Sequence, residues 1–182
     1  MTGLTTQATH DVKPVEDTGG ESRQYLTFTM NKEIFAVCTQ NVREIIEYRS
    51  LTSVPMVPDT IRGVINLRGS VVPVVDLGVR FGGKRTEPGR RSCIVILDVE
   101  EGDTPQVIGV LVDVVNEVLK IPPSDIEPAP TFGAKIRTEF IQGMGKVNEH
   151  FVIILNVDKV LSVDELSLLG ETVKQHADAT PA

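Results

Sequence analysis

The side chains able to do chemistry in this sequence are few, and their spacing is wrong for it. Cys38 and Cys93 each border an apolar run, with no Cys-x-x-Cys spacing and no clustered histidine. A thiol nucleophile needs a base within hydrogen-bond reach. His10 and His176 fall in polar terminal stretches and His150 in the turn Asn148-Glu149-His150, so none is placed to serve. The pattern predicts two buried free thiols packed as small hydrophobes. Asp98, Asp113 and Asp158 end apolar runs and do not converge by spacing on a metal. No GxxxxGK[ST] phosphate loop occurs, and Gly143-Met144-Gly145 precedes no helix pattern, so a glycine-rich hairpin explains it better than a nucleotide site. The chain reads as having no catalytic residue, no cofactor and no metal. Recognition by surface is what remains.

The stretch that would carry such a surface runs from Ile61 to Asp76. It reads as two short apolar strands joined by a turn at Arg68-Gly69-Ser70, with β-branched residues favouring a pleated surface on either side. Asn66 and Arg68 then stand at the turn, where polar groups can meet another molecule without being desolvated in a core. Further candidates for contact are Val42, Gly63 and Val64, and the stretch Pro128-Ala129-Pro130-Thr131-Phe132. Phe132 either plugs a barrel end or is an exposed anchor.

The elements around this hairpin are strands. Aromatics make up only 4% of the chain and Trp is absent, so its cores must be built from Val, Ile and Leu. Leu26, Phe28 and Met30 alternate with Tyr25, Thr27 and Thr29 in the period-2 pattern of a half-buried strand. Ile34 to Cys38 is the return strand, and Val42, Ile45 and Ile46, at i, i+3 and i+4, mark a short helix or turn. Asp76 is placed to cap a short helix from Leu77 to Phe81. Gly82 to Arg91 is a polar loop, after which Cys93 to Leu97 and Gln106 to Val112 read as partner strands. Val115 to Leu119, an extended Pro122 to Pro130, Phe140 to Met144 and Phe151 to Leu155 follow. Ser162-Val163-Asp164-Glu165 has the form of a capping box opening a helix through Leu169.

Set side by side, the halves repeat. Glu44-Ile45-Ile46 answers Glu117-Val118-Leu119, Pro55 and Pro58 answer Pro128 and Pro130, and Ile61-x-Gly63 answers Ile141-x-Gly143, at a spacing of 73 to 80 residues. Each half would be a small β-barrel, because closure removes unpaired strand edges. The expected layout is an all-β protein of two barrels, about residues 24–91 and 92–161, with possible strand exchange between them. A C-terminal helix at 162–169 and disordered tails at 1–23 and 170–182 complete it. A net charge of −7 argues against nucleic acid as a partner. No stretch approaches the ~20 apolar residues of a membrane span, and Met1 to Arg23 lacks the basic start and apolar run of a secretory signal, so a cytosolic address is expected.

Several of these stretches together resemble one family. Val42-Arg-Glu-Ile, Ile61-Arg-Gly-Val-Ile-Asn-Leu-Arg-Gly69, Val72-Pro-Val-Val-Asp-Leu77, Val112-Asp113, Pro128-Ala-Pro130 and the Gly143 hairpin are similar to the CheW-like coupling proteins of bacterial chemotaxis. The resemblance spans about Gln24 to Leu169 and implies two SH3-like five-stranded barrels about a shared hydrophobic core. It also implies a non-catalytic adaptor that links the cytoplasmic tips of chemoreceptors to the regulatory domain of the chemotaxis histidine kinase. By this likeness Val42, Glu44, Gly63 and Arg68 lie on or support a receptor-facing surface, and Phe132 sits at a kinase contact. Glu127 departs from the basic residue that a family member carries before Pro-Ala-Pro. Outside the family, a generic SH3-like ligand-binding module in another signalling pathway, for peptides or small molecules, would need an aromatic-lined groove for Pro-rich ligands, which the scarcity of aromatics disfavours.

Overall fold

Three of the hairpins this sequence forms turn in the same way, through two consecutive residues of positive φ. These are Asn31 and Lys32 (51° and 69°), Arg68 and Gly69 (53° and 89°), and Asn148 and Glu149 (48° and 70°). Such turns carry the twist that antiparallel strands need. The structure, a computed structural model, describes residues 22–101, 104–130 and 137–161. The expected C-terminal helix, both tails before residue 22 and after 161, and Phe132 lie outside the described residues.

The strands are β1 (Arg23–Met30), β2 (Glu33–Cys38), β3 (Val42–Glu47), β4 (Ile61–Leu67), β5 (Ser70–Asp76), β6 (Cys93–Glu101), β7 (Thr104–Val112), β8 (Val114–Ile121), β9 (Ile126–Glu127), β10 (Ile141–Val147) and β11 (His150–Leu155). Two one-turn helices follow the second hairpin of each half: α1 (Leu77–Arg80) and α2 (Val157–Val160). The fold is all-β in two sheets, each with an SH3-like five-stranded form, and the short β9 adds a sixth strand to one. Strand β1 begins at Arg23, inside the stretch expected to be tail.

Two expectations need correction. Val42 to Glu47 is a strand, not a helix or turn. It pairs antiparallel with β6, and only Thr39–Asn41 before it is helical, as a single 3-10 turn. Its spacing fits a helix face, but an adjacent strand satisfies its backbone, and Val42, Glu44 and Ile46 face inward while Arg43, Ile45 and Glu47 face out. The sheets also do not divide near residue 91, because the strand exchange allowed above takes place. One sheet runs β8-β1-β2-β11-β10-β9 and the other β3-β6-β7-β5-β4, so each half lends its first hairpin to the sheet of the other.

The repeat is visible in this exchange. In both sheets a bulge separates Ile61 from Gly63 and Ile141 from Gly143, and a capped one-turn helix ends the hairpin. The two parallel junctions, β5 with β7 and β11 with β2, also correspond. Exchange creates three cores. Ile65, Val72, Val74, Ile94, Ile96 and Leu111 fill one sheet, while Tyr25, Ala36, Cys38, Ile121, Val152 and Ile154 fill the other. The opposite faces of the exchanged strands, Leu26, Phe28, Met30 and Val37 with Val95, Leu97, Val99 and Val110, form the shared core between them. Burial of both faces is why β6 reads as a continuous apolar run.

A candidate adaptor surface at the hairpin turn

Of the four residues expected on one surface, the fold brings two into direct contact. Glu44 lies on β3, at one end of its sheet, and Arg68 in the β4–β5 turn, at the other end. Arg68 grips the Glu44 carboxylate with both terminal nitrogens, Nη2 donating to Oε1 at 3.2 Å and Nη1 to Oε2. A bidentate guanidinium–carboxylate pair fixes orientation as well as distance. The pair thus ties the ends of the sheet together. The hydrogen bond from Arg68 and its charge hold the Glu44 carboxyl below the usual glutamate range. Arg68 is 73% exposed at its side chain, so most of its surface remains open to a partner.

The turn that aims Arg68 is built locally. Arg68 takes positive φ without being glycine, and Asn66 Oδ1 steadies the turn by accepting the Gly69 amide at 2.8 Å. Gly63, by contrast, contributes no surface, because it is buried. Its φ is 150°, and a Cβ there would lie 2.6 Å from the Thr52 carbonyl oxygen and 3.0 Å from Leu51 Cβ. The absence of a side chain lets residues 51–52 run beside β4, where Thr52 and Val64 exchange two 2.9 Å backbone hydrogen bonds. Val42 is half-buried and packs on the shared core two residues before Glu44. Val42 and Gly63 are therefore structural neighbours of the Glu44–Arg68 pair, which reaches solvent. Arg43, between the two β3 residues, points the other way and donates through Nε (3.0 Å) and Nη2 (2.8 Å) to Asp98 Oδ1.

Sequence reading missed how the edge of this region is secured. Asp76 was expected only as a helix cap, and it does accept from the amides of Gly78 (2.9 Å) and Val79 (3.4 Å). Fully buried, it also accepts from the Thr86 amide and hydroxyl, both at 2.8 Å, and from Arg62 Nη1 at 2.9 Å. Arg62 Nη1 donates in turn to the Thr86 carbonyl at 2.6 Å. The network pins the loop after α1 to β4, one residue from Gly63. Its only signal in the sequence was an aspartate closing an apolar run.

Cys38 is buried, but Cys93 is half-exposed rather than buried as expected, and burial together with the Glu47 carboxylate raises its thiol pKa, which disfavours the thiolate. Among the described residues no three His, Cys, Asp or Glu side chains stand close enough to hold a metal ion, and no helix is long and apolar enough to cross a membrane.

Known proteins resemble this chain over most of its length. The CheW-like domain family matches residues 24–165. The chain is 32% identical over 176 residues to the chemotaxis protein CheW of Klebsiella aerogenes, covering 97% of this chain and 100% of that one. It is 31% identical over 144 residues to protein FrzA of Myxococcus xanthus, covering 76% and 85% of the two chains. The crystal structure of the scaffolding protein TtCheW from Thermoanaerobacter tengcongensis superposes with a TM-score of 0.71 at 30% identity, over 81% of this chain and 93% of that one.

Proposed function

This chain belongs to the CheW-like domain family, and within that family of chemotaxis adaptors we propose that it couples chemoreceptor signalling tips to the regulatory domain of the chemotaxis histidine kinase. On this reading it works in the cytoplasm, held in arrays at the inner face of the membrane through the receptors. It performs no catalysis. Glu44 and Arg68 take the receptor tip, Val42 and Gly63 hold their strands in place, and Phe132 serves the kinase contact. The adaptor acts by holding two partners in a fixed geometry, so that a receptor's state biases the kinase between its active and inactive forms.

The observation that carries the receptor assignment is the exposed Arg68 guanidinium, aimed by its turn and by Glu44. A pre-oriented charge loses little conformational freedom on binding. The test is calorimetric titration of the purified chain with a receptor signalling tip and, separately, with the kinase's regulatory domain. Arg68→Glu sets two carboxylates against each other at the receptor surface and abolishes binding of the tip, while Phe132→Ser weakens only the kinase domain. Loss of both partners with either variant would refute two separate surfaces.

A further inference from the structure

The loop after α1 is the most basic stretch of an acidic molecule. Between Gly82 and Arg91 stand Lys84, Arg85, Arg90 and Arg91 against a single acid, Glu87, in a chain whose net charge is −7. All four cations are exposed, and no side chain among the described residues pairs with any of them. Elsewhere the exposed arginines Arg43, Arg68 and Arg137 each hold a carboxylate, whereas the exposed Lys32, Arg49, Lys120 and Lys146 hold none among the described residues. What sets the loop apart is that four such cations stand within the eight residues from Lys84 to Arg91.

Nor is the loop free to wander. Thr86 at its centre is buried against Asp76 and Arg62. Its start is held by the Gly83 amide on the Gly78 carbonyl at 2.8 Å. Near its end the Gly89 amide donates to Ser92 Oγ at 2.7 Å, and the Tyr48 amide to the Ser92 carbonyl at 3.1 Å. That last bond brings exposed Arg49, the residue after Tyr48, beside the end of the loop. Glu47 and Glu87 are the acids nearest this cluster along the chain.

We propose that the Lys84–Arg91 loop is a docking site for a carboxylate-rich segment of a protein partner, separate from the Glu44–Arg68 surface and independent of the receptor reading. Anchored arginines with open guanidinium groups match carboxylates in bidentate geometry, and a fixed loop sacrifices little entropy in doing so. The occupant is not nucleic acid, because the remaining surface is acidic and repels a long polyanion. It is not a membrane, because the loop offers no exposed large apolar side chain to enter the headgroup layer.

The test uses the full-length chain and a fluorescein-labelled decaglutamate peptide, followed by anisotropy. Wild type binds at low ionic strength and loses affinity as salt rises, since the contacts are exposed and screened. The variant R90E/R91E binds about tenfold more weakly. The variant K120E/K146E alters the net charge equally at two exposed lysines outside the loop and binds as wild type. Equal weakening by both pairs would show that net charge alone is read, and absence of peptide binding at low salt would show that the loop has no such partner or is filled by the chain's own acidic tails. Either result overturns the proposal. Capture of the chain by phosphatidylserine vesicles without peptide binding overturns it too.

Discussion

Replacing Gly63 by alanine tests how residues 51–52 are held against β4. At φ 150° an L residue is strained, which costs of order 1–3 kcal/mol. The new Cβ would lie 2.6 Å from the Thr52 carbonyl oxygen, which is backbone and cannot rotate away. Residues 51–52 must therefore move off β4, and the two 2.9 Å hydrogen bonds between Thr52 and Val64 are weakened or lost, at about 1 kcal/mol each. Strain and lost bonds together give a destabilisation of about 3–5 kcal/mol. For a chain of this size that lowers the thermal midpoint by about 10 °C. The repeat supplies an internal control. Gly143 occupies the matching place in the other hairpin, but its φ is not positive; an added Cβ would meet the Ile126 Cγ2 methyl at 2.6 Å and the Glu127 carbonyl oxygen at 3.2 Å, so Ile126 must shift. Gly143→Ala therefore carries overpacking without backbone strain and is expected to cost about 1–3 kcal/mol, less than Gly63→Ala. Urea unfolding of both variants, read by far-ultraviolet circular dichroism, measures the difference. A Gly63→Ala loss below about 1 kcal/mol, or one matched by Gly143→Ala, would refute the argument from φ and backbone contact.

Asp76→Ala leaves the Arg62 guanidinium and the buried Thr86 groups without their acceptor, and should destabilise the fold by about 3–5 kcal/mol in the same urea assay, with the loop after α1 opening first to limited proteolysis. For Glu44 the pH dependence has a definite sign. Its folded pKa is depressed by Arg68, so what the pair contributes is fully present at neutral pH and is lost as the pH falls through the depressed value, below the ordinary glutamate pKa of about 4.3. Nuclear magnetic resonance titration of the Glu44 side-chain carbonyl should show the midpoint rising toward the ordinary value in Arg68→Ala. An unchanged midpoint would mean that the pair does not persist in solution.

What the sequence determined by itself was what local rules govern. Alternation in β1 and the apolar run of β6 predicted strands, Arg68-Gly69 and Asn148-Glu149 marked turns, and Asp76 marked a helix start; all of these depend on residues within a few positions of one another. The duplication was legible too, since Ile61-x-Gly63 and Ile141-x-Gly143 carry the same bulge in the same hairpin. Tertiary structure decided the rest. Whether 42–47 is helix or strand depended on β6 arriving to satisfy its backbone, which the 3.6-residue spacing of Val42, Ile45 and Ile46 could not reveal. Which sheet receives the hairpins β1–β2 and β6–β7 was decided by burial, because strands with two apolar faces gain most where both faces are covered, one by their own sheet and one by the shared core. The Glu44–Arg68 pair and the Asp76–Arg62–Thr86 network follow from that exchange and from closure of the sheet. They join residues that have no local reason to meet, and only the folded chain sets the distance between them.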